Sequence, residues 1–172
     1  ATNEIISSSE LLILVLVYIW VAVMCMITFR SLPATICIVL PLILTSVLGN
    51  ALMAFLGIGM KVATLPVIAL GVGIGVDYAL YVLTVILAKL RQGLNLTEAY
   101  YETLNFTGRV VALIGVTLAA GVVTWSMSPI KFQADMGILL TFMFLWNMFG
   151  ALILMPALAT FLLKPHKQES AA

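Results

Sequence analysis

Apolar residues in this chain do not alternate with polar ones. They run together in five long stretches divided by short polar breaks, at about Leu11–Phe29, Pro33–Leu56, Val62–Ala88, Val110–Met127 and Met136–Leu163. A helix needs about 20 apolar residues to cross the hydrocarbon core of a bilayer, and each stretch is close to or above that length. The breaks carry stop signals: Arg30, then Gly57-Ile-Gly-Met-Lys61, then Lys89 and Arg91, then the loop Pro129–Asp135, and last Lys164-Pro-His-Lys167. Pro33 suits the first turn of the second helix. Pro41 and Pro156 fall inside spans, where membrane helices tolerate them. The predicted fold class is an all-α integral membrane bundle of five transmembrane helices plus one short amphipathic helix, a single transmembrane domain over residues 1–172.

The amphipathic element is expected at about 95–108, which is too polar to span. Asn95 followed by Glu98 fits a capping box. Leu96, Ala99, Tyr100 and Leu104 can form an apolar stripe, which predicts a helix lying on the membrane surface; a simple polar loop is the alternative. Five spans put Arg30, Lys89, Arg91, Arg109, Lys164 and Lys167 on one side, and only Lys61 and Lys131 on the other. The positive-inside rule makes the first side cytoplasmic, with the N-terminus outside and the C-terminus inside. Asn95-Leu-Thr97 and Asn105-Phe-Thr107 match the glycosylation pattern, but on the cytoplasmic side they are expected to stay unmodified.

Composition agrees. Hydrophobic residues make up 63% of the 172, and charged residues 9%. A soluble domain is nearer half apolar and a quarter charged. The net charge of +1 gives no reason to expect nucleic acid. Cys25 and Cys37 lie in apolar runs and read as packing residues, and the single histidine, His166, lies in the charged tail. No metal, no cofactor and no enzymatic activity are expected. Ala1–Glu10 lacks the basic start of a signal peptide and carries Glu4 and Glu10, so the chain reads as a piece of a longer protein.

Of seven acids, only Asp77 lies inside a span, with about fifteen residues of the span before it and about eleven after. It should sit near the bilayer midplane. An ionised Asp there costs at least about 2.5–3.5 kcal/mol on insertion scales, so the side chain is expected to face protein, not lipid. A carboxyl group so placed can take up and release a proton, the chemistry of a relay; the alternative is a structural acid hydrogen-bonded between helices. Gly71 and Gly75, four apart, permit close helix approach. Gly71, Gly73 and Gly75 together make the segment either a tight packing surface or a hinge. Tyr78 is expected to bond the carboxyl group or extend the relay. The fourth span supplies Thr117, Gly121, Thr124 and Ser128 on one face, so Thr117 or Thr124 is the expected partner of Asp77 within the chain. No Lys or Arg lies at that depth, so a cationic partner would come from elsewhere. Asn50 and Asn147 are candidate interhelical hydrogen-bond groups, and Trp20, Trp125 and Trp146 interface or packing residues.

The run Gly71-x-Gly73-x-Gly75-x-Asp77-Tyr78-x-x-Tyr81 resembles the fourth and tenth transmembrane helices of resistance-nodulation-division (RND) transporters, and most of all the MMPL and hydrophobe-exporter branch and its Patched-type relatives. Thr97-Glu-Ala99 through Thr107-Gly108 is similar to that family's cytoplasmic connecting helix. Thr117-Leu-Ala-Ala-Gly121 resembles its eleventh helix, and Phe132-Gln-Ala-Asp-Met-Gly137 with Leu154-Met-Pro156-Ala-Leu158 its twelfth. The resemblance covers about Glu10–Lys164. It implies helices eight to twelve of a twelve-helix exporter in the cell inner membrane, which uses the proton gradient to move lipids, hydrophobic compounds or drugs outward. It makes Asp77 and Tyr78 the proton-relay pair. It also implies partners outside this chain: an N-terminal membrane half with a matching acid, an extracytoplasmic domain, a hydrophobic or amphiphilic substrate, and an oligomer in some branches. A SecD/SecF-type translocation subunit and a sterol- or lipid-sensing module without proton coupling share these helices and stand as alternatives. An intramembrane aspartyl protease needs a second buried carboxylate, which the sequence lacks.

Overall fold

The computed structural model describes residues 2–58 and 65–162. The predicted turn at Lys61, the first residues of the third span (62–64), the end of the fifth, and Lys164, His166 and Lys167 lie outside the described residues. The chain is helical, with no strand among the described residues: α1 Thr2–Phe29, α2 Leu32–Phe55, α3 Leu65–Arg91, α4 Leu96–Thr103, α5 Arg109–Val123, α6 Lys131–Phe149 and α7 Met155–Leu162. Two short π-turns, Leu104–Gly108 and Gly150–Leu154, join α4 to α5 and α6 to α7. The result is five helices long and apolar enough to cross a membrane, the last two spanning Leu96–Met127 and Lys131–Leu162.

The short amphipathic helix and the fourth span are thus one helical run. At its start Asn95 and Glu98 form the capping arrangement, with the Asn95 N–H donating to Glu98 Oε2 at 3.3 Å. Ala99 and Thr103 of α4 are buried, while Tyr101 and Glu102 are exposed, so α4 is two-faced and lies against α3. An ion pair between Lys89 and Glu102 fastens it there.

In lipid, apolar side chains gain little from leaving the solvent, so helices associate where small residues let them approach. The central helices α2, α3 and α6 meet in this way. A Cβ on Gly71 would lie 2.7 Å from Met143 Sδ, and one on Gly75 would lie 2.6 Å from both Asn147 Cγ and Leu42 Cδ2. On the other side of α6, a Cβ on Gly115 would meet Met148 Sδ at 2.7 Å, and one on Gly137 would meet the Ser126 backbone at 2.9 Å. Methionine suits these contacts because its unbranched side chain bends into irregular gaps. The outer helix α1 is held to α2 by the Tyr18 hydroxyl, 2.8 Å from the Leu42 carbonyl and 2.7 Å from Ser46 Oγ. Most of the large apolar side chains of α1 stay exposed, as do those on the outer face of α5.

Candidate functional site

Successive residues of a helix are about 100° apart, so α3 can be read as a wheel. Val72, Gly75, Val76, Ala79, Val82, Leu83 and Ile86 are buried and fill one half. Leu70, Gly73, Asp77, Tyr81 and Thr84 are exposed and fill the other. Asp77 lies near the centre of the exposed half, almost opposite the buried stripe. Within this chain it therefore points away from the bundle and not into it as expected, because the packed side of α3 is taken by apolar residues. Its carboxyl group opens into a recess lined by Leu80, Tyr81, Thr84 and Val85, all from its own helix. Leu70, Asp77 and Thr84 recur at seven-residue intervals with Gly73 between, the spacing of a helix-packing seam.

The glycines divide accordingly. Gly71 and Gly75 are close-approach positions against α6, whereas a Cβ on Gly73 would meet nothing within 4 Å. The three glycines thus have different surroundings, because residues two apart on a helix point in different directions. At the packed side, buried Asn147 donates from Nδ2 to the Gly71 carbonyl at 2.7 Å, so α6 grips α3 less than two turns before Asp77. Asn50, by contrast, is exposed.

The polar groups expected around the acid are not gathered on it within this chain. Tyr78 is about 100° round the helix from Asp77, its side chain is buried in the bundle, and its hydroxyl has no partner among the described residues. Thr117 is exposed on α5, which packs chiefly against α6, and Thr124 is exposed in the turn that follows α5. Their hydroxyls donate to their own helix, to the carbonyls of Leu113 and Gly121, each at 2.7 Å. A hydroxyl in an apolar medium takes the nearest carbonyl when no cross-helix acceptor is in reach. No metal-binding cluster of His, Cys, Asp and Glu occurs among the described residues.

One part-buried polar contact was not anticipated. Proline at position 156 has no N–H to give the Leu152 carbonyl four residues earlier. The Tyr100 hydroxyl of α4 donates to that carbonyl at 2.7 Å. The sequence signal was present, an intramembrane proline whose orphaned acceptor requires a donor, but the identity of the donor depends on how α4 folds back.

Five long apolar helices around a polar grip define a multi-pass membrane protein. The chain belongs to the MMPL family, whose model matches residues 1–168. A relative, SCO6666 of Streptomyces coelicolor (strain ATCC BAA-471 / A3(2) / M145), described no further than as a membrane protein, is 34% identical over 91 residues. That match takes 53% of this chain and 13% of the relative, so the chain spans a small fraction of the protein it resembles.

Proposed function

We propose that this chain is one membrane half of an exporter of lipids, hydrophobic compounds or drugs, driven by protons that Asp77 carries. The reading rests on the position of Asp77 at the centre of an exposed helix face in the middle of an apolar span. A carboxylate facing acyl chains costs about 2.5–3.5 kcal/mol or more. A second helix laid along Leu70, Gly73, Asp77, Tyr81 and Thr84 removes that cost, and Gly73 leaves room for it. That helix belongs to the rest of the full-length protein and brings the polar or charged groups that the acid lacks here. Tyr78, buried beside Asp77 on α3, Thr117 on the outer face of α5 and Thr124 just past the end of α5 are the further relay groups of the assembled protein. Moving one proton down 100 mV yields about 2.3 kcal/mol, which does work only if this half moves against another. In this reading the protein sits in the inner membrane with its N-terminus outside and its C-terminus in the cytoplasm, an orientation that the excess of Lys and Arg on one side supports.

The test uses the full-length protein in proteoliposomes with an imposed pH gradient. Asp77→Asn should abolish export of a fluorescent hydrophobic probe and its coupled proton flux. The melting temperature should stay within a few degrees of the parent. Export surviving in the Asn variant refutes the relay and leaves the lipid-sensing module in its place.

A further inference from the structure

We infer a lipid-binding cleft between the surface helix α4 and the proline-broken end of the last span, shaped to hold one acyl chain of a membrane phospholipid. The inference is independent of proton coupling and of the Asp77 face.

The cleft has a volume of about 310 Å³ and lies between Ile86 of α3, Leu96 and Tyr100 of α4, and Ile153, Pro156 and Ala157 around the second π-turn. It exists because α4 is held over this region at fixed points. The Tyr100 hydroxyl is tied to the Leu152 carbonyl, and Glu102 to Lys89. Between those ties the surface opposite α4 carries the small side chains of Pro156, Ala157 and Thr160 between Ile86 and Ile153, and these do not fill the gap. The floor, Ile86 and Pro156, is buried, while Ile153, Ala157, Thr97 and Thr160 at the lip are exposed.

The walls choose the occupant. Among the described residues no charged side chain lines the cleft, and its polar groups are the hydroxyls of Thr97, Tyr100 and Thr160. The Tyr100 hydroxyl is already engaged with Leu152, and Thr160 Oγ1 donates to the Ala157 carbonyl at 2.7 Å. Apolar cavities of this kind do not hold water and take apolar ligands instead. The volume is at the lower end of the range for small-molecule sites, enough for a chain segment but not for a bulky amphiphile. Position supplies the rest. Ile86 precedes Arg91 by five residues, about 7.5 Å along the helix, so the cleft opens just inside the level where Lys89 and Arg91 mark the headgroups. At that depth the apolar molecule at hand is a phospholipid, with its chain in the cleft and its phosphate at the basic end of α3.

The experiment uses the full-length protein in phosphatidylcholine vesicles doped with a phosphatidylcholine carrying a diazirine on one acyl chain. After photolysis and digestion, label should concentrate on the segments 96–100 and 153–160. Ala157→Trp, which fills the cleft, should cut that label at least fivefold, and Ala157→Leu by a smaller factor. Leu113→Trp, on the exposed face of α5, should leave it unchanged. Label on these segments no denser than on the exposed face of α5, or indifferent to both Ala157 variants, overturns the proposal. So does labelling by a free diazirine fatty acid but not by the phospholipid, which would make the cleft a site for cargo.

Discussion

At the scale of single residues, α3 sets a controlled comparison between glycines of the same helix. Gly71 and Gly75 sit where a methyl group would collide with Met143, Leu42 or Asn147, and Gly73 sits where it would touch nothing. Met143 can swing its sulfur aside, but Asn147 is held by its bond to the Gly71 carbonyl. Gly75→Ala should therefore cost about 1–3 kcal/mol, the usual range for overpacking, and Gly71→Ala should cost less. Gly73→Ala should leave the stability of this bundle unchanged or raise it slightly, since alanine favours helix over glycine by about 1 kcal/mol. Thermal unfolding in detergent of this chain alone separates the three. In the full-length protein the order changes, because Gly73→Ala then intrudes on the proposed seam and should impair export while Gly75→Ala impairs folding. Equal losses for all three variants in the isolated chain would mean that the glycines act as a hinge and not as contact points.

At the scale of elements, the second π-turn and α4 form one unit. Pro156 orphans the Leu152 carbonyl, and Tyr100 reaches across from α4 to cover it. An intramolecular hydrogen bond contributes about 0.5–1.5 kcal/mol net, and an uncovered buried acceptor costs more. Tyr100→Phe should loosen α4, seen as faster amide exchange over 96–103. Pro156→Ala restores an N–H to the carbonyl from within the helix, so in that background Tyr100→Phe should cost little. A coupling of about 1 kcal/mol between the two positions is expected from the double-mutant cycle, and additive effects would show that the contact is incidental. This unit also marks the boundary of what the sequence discloses. Five apolar runs of bilayer length and the Asn95–Glu98 cap are local features, and local features are legible. The fusion of α4 and α5 into one run through a π-turn is not, because the polar residues 105–109 read as a break. They continue as helix because neighbouring side chains cover their backbone: Gly108 lies under Leu152, where an added Cβ would stand 3.6 Å from Leu152 Cδ2. For the site, the acid itself stands out from composition alone. Its surroundings do not, since whether Thr117 and Thr124 face Asp77 depends on which helices α5 packs against, and periodicity gives a face without naming its neighbour.

At the scale of the whole molecule, an exposed acid in an apolar helix is a debt that this chain cannot settle by itself. The buried half of α3 is fully used by α2 and α6, so rotating the helix to hide Asp77 would turn Val76, Ala79 and Val82 outward and break the grip of Asn147 on Gly71. The helix is therefore fixed with its carboxyl group outward, and a lipid-facing carboxylate opposes membrane insertion by about 2.5–3.5 kcal/mol. Two consequences can be separated by experiment. Expressed alone, this chain should insert α3 inefficiently, and Asp77→Asn or Asp77→Leu should raise the inserted fraction several-fold in a glycosylation-site mapping assay. Expressed together with the remainder of the full-length protein as a separate polypeptide, the parent chain should insert as well as its Asn variant, because a partner helix on the Leu70–Thr84 seam takes the carboxyl group out of lipid. If co-expression leaves the difference between Asp and Asn unchanged, no protein covers the seam during assembly. The acid would then still face lipid in the assembled protein, and a proton path through the membrane centre could not run through it.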